Sequence, residues 1–196
     1  MTSVTATLPA RERLLAAADK LFYEEGINTV GIDRVIEEAD VAKATLYTSF
    51  GSKEALIVAY LGRRLERRQE RTRNTLAKID KPRDRLVAVY DVLDGYIHEP
   101  GFNGCAFINA TAEAQAGSAI ELAVRTSRVW MRGLLTDLAR DAGADQPEEL
   151  GRQLALLYDG AIVSAHMDDD LNAARAAKGT ACVLVDAATR RRRTKR

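Results

Sequence analysis

The chain has 196 residues, 46% hydrophobic and 29% charged, with a formal net charge of +1, which excludes a disordered or collagen-like chain and gives enough length to bury a core without staples. No apolar run approaches the roughly 20 residues of a membrane-spanning helix. The start, Met1-Thr2-Ser3-Val4-Thr5-Ala6-Thr7, lacks the basic and apolar stretches of a signal peptide, so a cytoplasmic protein with no membrane partner is expected.

Charge is distributed unevenly. Residues 1–75 hold 12 Lys/Arg against 11 Asp/Glu, 76–189 hold 11 against 17, and 190–196 hold 6 against none. The first segment has no large basic excess, so a nucleic-acid role must come from a motif rather than from bulk charge. The only cysteines, Cys105 and Cys182, have neither zinc-ligand nor redox CxxC spacing and read as reduced core residues.

Periodicity is helical nearly throughout. Leu14, Leu15, Ala18, Leu21 and Phe22 share one face of a helix over about 9–25, which Pro9 opens and Gly26 ends. Ile32, Val35, Ile36 and Ala39 mark a short second helix, about 31–38, and a third follows over about 42–48 after only about three residues. Ser52 is placed to cap a fourth helix that runs through Arg73, where Arg63 to Arg73 read as an exposed face balanced by Glu66 and Glu70. Further helices are expected over about 83–98, 104–115, 118–141, 147–167 and 171–189, with breaks at Glu99 to Gly104, Ala142-Gly143 and Asp168 to Asp170. No period-two alternation or hairpin signal appears. The expectation is an all-α protein of about nine helices.

The second and third helices have the spacing of a helix-turn-helix, whose second helix enters the major groove. Val41, Leu46 and Phe50 plug a core, leaving Lys43, Ala44, Thr45, Tyr47 and Thr48 on the outward side. Small, hydroxylated and basic residues there suit close approach to base edges and phosphates.

Residues 11–61 carry an ordered set: Phe22, Gly26, Ile32-x-x-Val-Ile, Ala39-x-Val41, Lys43-Ala-Thr-Leu-Tyr, then Phe50-Gly-Ser-Lys-Glu-Ala-Leu56. This set closely resembles the DNA-binding domain of the tetracycline-repressor (TetR) family. The resemblance implies a homodimeric regulator, usually a repressor, that binds a pseudo-palindromic double-stranded DNA operator and is released by a small-molecule effector of unknown identity. By position, Lys43, Ala44, Thr45 and Thr48 would face bases or nearby backbone, Tyr47 and Lys53 would hold phosphates, and Gly31 would start the second helix. Three positions depart from the pattern. Asp40 replaces the usual turn glycine, Ala42 the usual Ser cap, and Ser49 a common His or Tyr. The division implied is a DNA-binding domain at 9–70 with its helix-turn-helix at about 31–50, a ligand-binding and dimerisation domain at 76–189, and a basic tail at 190–196.

In the larger half, Tyr90, Phe107, Trp130, Met131 and His166 are candidates for lining a ligand cavity, although for any one of them ordinary core packing is the commoner role. The small residues Gly160, Ala161, Ala165, Ala173, Ala176 and Ala177 suit a homodimer through the last two helices, or close packing within one chain. Neither histidine has a companion at ligand spacing, so no metal and no cofactor is expected. No phosphate loop, GxGxxG turn, HExxH or GxSxG elbow occurs, and an enzyme is not expected. The alternative to a ligand-responsive regulator is a constitutive helical DNA-binding or scaffold protein without a ligand.

Overall fold

A computed structural model describes residues 8–189. Nine helices occur among the described residues, and no strand: α1 (Ala10–Glu25), α2 (Ile32–Ala39), α3 (Lys43–Phe50), α4 (Lys53–Leu76), α5 (Pro82–Ile97), α6 (Ala106–Glu113), α7 (Ala119–Asp141), α8 (Pro147–Met167) and α9 (Ala173–Thr189). The boundaries fall within two residues of the expected ones except at α4, which continues to Leu76, three beyond Arg73. Among the described residues, no helix is long and apolar enough to cross a membrane. The basic run at 190–196 lies outside the described residues.

Packing divides the chain into two compact units. Among the described residues, the first holds 8–66 and also takes Ala106–Thr126; the second holds Arg67–Cys105 and 127–189. Residues 106–126, read from the sequence as part of the C-terminal body, thus cluster with the helix-turn-helix. Helices α4 and α7 each contribute to both units.

In the first unit, α1 packs against α2 and α3. Leu14 and Ala18 of α1, Val35 of α2, Leu46 of α3 and Leu56 and Leu61 of α4 are fully buried, and Phe22 meets Tyr60 edge to face at 5.8 Å. Ser52 caps α4 as expected, its Oγ accepting from the Ala55 N–H at 3.1 Å. Two arginines of α4 find partners other than the expected Glu66 and Glu70. Arg63 reaches Glu12 at 3.2 Å, while Arg64 pairs with Asp19 at 2.8 Å and stacks on the Tyr23 ring at 3.7 Å. Partners from another helix win because a stacked, half-buried guanidinium gains packing that an i,i+4 pair in water lacks.

In the second unit, α9 lies against both α5 and α8. Arg68 of α4 turns inward to Cys105 Sγ at 3.5 Å, and Arg71 pairs with Glu99. The Tyr90 hydroxyl donates to the Leu154 carbonyl at 2.8 Å, joining α5 to α8. Of the six small residues in α8 and α9, Ala161, Ala165, Ala173 and Ala177 are buried within the chain, whereas Gly160 and Ala176 face outward. Close crossing is also visible at Gly151, where an added Cβ would stand 2.5 Å from Thr136 Oγ1 and 2.9 Å from the Thr136 backbone.

That crossing sets a test. Gly151→Ala should lower unfolding free energy by about 1–3 kcal/mol through overpacking, despite alanine's better helix propensity. Gly95→Ala, at an exposed helical glycine with open space around it, should raise it by up to about 1 kcal/mol. Urea denaturation of both variants reads the difference; equal effects would mean that the α7–α8 approach is looser than described.

Candidate nucleic-acid interface

The eight residues of α3 divide cleanly. Leu46 is fully buried, Ser49 and Phe50 are half-buried, as is Val41 just ahead of the helix, and Thr45, expected on the outward side, is half-buried as well. Lys43, Ala44, Tyr47 and Thr48 are exposed on the other side, at the i, i+1, i+4, i+5 spacing of one face. Tyr47 is 45% exposed, a large aromatic surface left in water. Gly31 stands exposed at the N-cap of α2. Phe50 is covered from outside by Arg11, whose guanidinium lies 4.8 Å from its ring centre.

The turn between α2 and α3 is held by backbone chemistry that two of the departures predicted. Asp40 adopts left-handed geometry, φ 50° and ψ 59°, a conformation Asp tolerates better than most residues. Arg13 of α1 donates to the Asp40 carbonyl at 2.8 Å, tying the turn to the first helix. Ala42 supplies no side-chain cap to α3, so relative to serine the helix start forgoes on the order of 1 kcal/mol.

Electrostatics modify the reading of each site residue. Lys43 Nζ is paired with Asp33 Oδ1 of α2 at 2.9 Å with both groups well exposed, and that hydrogen bond and charge hold the ammonium above its ordinary pKa. Lys43 must therefore leave or share Asp33 to reach a phosphate or base. The Thr48 hydroxyl donates to the Ala44 carbonyl at 2.8 Å, leaving its lone pairs outward. Lys53, at the start of α4, is half-buried; desolvation depresses its pKa, opposed by the charge of Glu113. An added phosphate would act in the same sense as Glu113.

Sequence reasoning missed the support beneath this face. Glu113, the last residue of α6, places both carboxylate oxygens on the α1–α2 turn, accepting from the Ile27 N–H at 3.2 Å and the Asn28 N–H at 2.7 Å. The Asn28 side chain returns a bond to the Glu113 carbonyl at 3.0 Å. Gly26, at φ 95°, is required here: a Cβ would come within 2.9 Å of the Glu113 carboxylate. Glu54 of α4 likewise accepts from the Ala119 N–H at 3.0 Å. No local motif announces such pairings, because the partners lie 86 and 65 positions apart.

The five candidate ligand residues are not brought together. Tyr90 and Met131 are buried core in the second unit and Phe107 in the first. His166 is exposed, edge-on to Phe102 at 6.4 Å. Trp130 alone lines an open groove, of about 360 Å³, formed by α4, α5 and α7 within the second unit.

A family model described as "Bacterial regulatory proteins, tetR family" matches residues 14–60. The HTH-type transcriptional repressor NemR of Escherichia coli (strain K12) is 31% identical over 105 residues, 53% of this chain and 53% of NemR. The HTH-type transcriptional activator FasR of Mycolicibacterium smegmatis is 33% identical over 93 residues, 46% of this chain and 42% of FasR. The matched stretches thus span about half the length of these curated relatives. Among solved structures, that of SCO4454, a TetR-family transcriptional regulator from Streptomyces coelicolor, superposes with a TM-score of 0.82 at 34% identity, covering 92% of this chain and 94% of that one. Reduced NemR from E. coli shares the fold, with a TM-score of 0.78 at 24% identity over 91% and 97% of the two chains.

Removing the Glu113 carboxylate leaves two turn N–H groups without their acceptor. Glu113→Ala should lower unfolding free energy by about 1–3 kcal/mol and speed amide exchange at Ile27 and Asn28. Unchanged exchange at both amides would show that the carboxylate does not hold the turn.

Proposed function

The chain belongs to the tetracycline-repressor (TetR) family of transcriptional regulators, and on that premise we propose that it binds a pseudo-palindromic double-stranded operator as a homodimer, represses transcription there, and is released by a small molecule. The outward face of α3 carries this reading. A helix that buries Leu46 while exposing Lys43, Ala44, Tyr47 and Thr48 has small and polar groups where base edges would lie and a hydroxyl and an ammonium where phosphates would lie. Two such helices in a dimer would enter successive major-groove turns about 34–36 Å apart.

A homodimer through α8 and α9 is supported by apolar surface left in water. Leu156, Val163 and Met167 recur on one face of α8, with the exposed Gly160 among them, and Val183 stands out from α9 beside exposed Ala176 and Gly179. Apolar side chains so spaced, around small residues that admit a second helix closely, fit a self-complementary helical interface. Repression is the direction named for NemR, whereas FasR is named an activator; the sign of the output is the part that a reporter assay decides. Effector release follows if the ligand binds one of two conformations better than the other.

Gel shifts on DNA from the region upstream of the protein's own reading frame test the interface. Tyr47→Ala and Lys53→Ala should weaken binding to all duplexes alike, and changes at Lys43 or Thr45 should also alter base preference, by about 1–3 kcal/mol at the affected position. If all four leave binding unchanged, the reading face lies elsewhere. Leu156→Glu should yield monomers by analytical ultracentrifugation and abolish high-affinity operator binding; a dimer that persists would move the interface away from α8.

A further inference from the structure

The groove in the second unit has a chemistry that its shape alone does not announce. Its apolar wall comes from Leu76 of α4 and from Trp130, Leu134 and Leu138 of α7. Thr72, only 3% exposed, supplies a hydroxyl. Arg73, Arg85, Gln69 and Ala77 complete the lining, which holds no carboxylate.

These two arginines differ from most others in the unit. Arg71, Arg83, Arg128, Arg140, Arg152 and Arg175 each have an acidic partner. Neither Arg73 nor Arg85 has one among the described residues. Arg85 donates through Nε to the Ile79 carbonyl at 2.5 Å, which fixes its guanidinium plane without neutralising it. Exposed Arg73 and half-buried Arg85 leave two guanidinium groups without a carboxylate partner on one groove, and an anion seated against the apolar wall would accept paired N–H bonds from them. The volume, about 360 Å³, lies in the range of small-molecule sites, about 300–1,000 Å³.

We propose that this groove binds a small organic anion with an apolar body, a carboxylate on an aliphatic or aromatic skeleton, and that this anion is the effector; the second clause rests on the ligand-released reading above. Trp130 packs the skeleton and Arg73 and Arg85 hold the carboxylate. Neutral and cationic amphiphiles of the same length are discriminated against by the unpaired positive charge.

Trp130 is the single tryptophan, so its emission reports on the groove directly. The full chain is titrated with decanoate, decanol and decylamine. Decanoate should change Trp130 emission saturably and bind about tenfold tighter than decanol, with decylamine weaker still. Arg73→Met should weaken decanoate about tenfold and leave decanol unchanged. Arg85→Met should do the same, but because Arg85 also holds the Ile79 carbonyl, Arg73→Met decides if the Arg85 variant folds poorly. Equal affinity for decanoate and decanol, an unaltered decanoate affinity in Arg73→Met, or no saturable change with any of the three overturns the proposal. Operator gel shifts are run separately. Decanoate binding that leaves the operator complex intact upholds the anion site and sinks its role as effector. Failure of the protein to bind any operator sinks the regulatory reading, while the emission data still decide the groove.

Discussion

A helix of eight residues such as α3 has no stability of its own in water, because the nucleation penalty is spread over too few hydrogen bonds. Its existence depends on Leu46, which is fully buried where α3 packs against α1 and α2. That burial fixes the rotation of the helix, and rotation decides everything the interface presents: with Leu46 inward, positions 43, 44, 47 and 48 must face out. The small, polar and basic residues at those positions therefore have no packing duty, which leaves them available for a partner surface.

The same constraint propagates to the turns on either side. A short helix held by one buried leucine transmits any slack in its flanking turns directly to its outward face. The α2–α3 turn and, one helix earlier, the α1–α2 turn are secured by charge-assisted bonds to backbone groups, from Arg13 to the Asp40 carbonyl and from the Ile27 and Asn28 amides to Glu113. Such bonds are stronger and more directional than neutral ones, and they satisfy groups that the helix ends leave open. The absent cap at Ala42 is thus set within a frame whose other backbone groups are firmly paired.

The charge balance of the interface follows from the same economy. Lys43 is matched by Asp33 and Lys20 by Glu38, while Arg34 is matched by Glu25. Exposed pairs of this kind contribute little to folding, yet they keep the head near neutral, in line with the 12 to 11 count of basic and acidic residues in its segment. Binding to a polyanion would then require exchange of partners at Lys43 rather than simple attraction, which favours selectivity over bulk affinity.

The nine helices of the described residues and, Thr45 apart, the outward set on α3 were legible because each is written in local pattern: apolar spacing of three and four, Pro at helix starts, Gly at helix ends, Ser52 before α4. Asp40 was legible for the same reason, since left-handed tolerance belongs to the residue itself. What the chain order could not carry was any pairing between distant elements. Glu113 looks like one more surface acid at the end of a short Ala-rich helix, and nothing near it announces that Ile27 and Asn28 need an acceptor. Arg63 and Arg64 have glutamates at helical spacing close by, but α1 offers carboxylates and an aromatic face together, and the stacked geometry prevails. Tyr90, Phe107 and Met131 are large and apolar wherever they sit, and only packing shows that they fill core while Trp130 edges a groove with two unmatched arginines. Local periodicity thus determined the elements and the polarity of their faces. Which buried polar group meets which, and where a cavity remains, was decided by tertiary structure, because those outcomes depend on distances between residues that sequence separation does not encode.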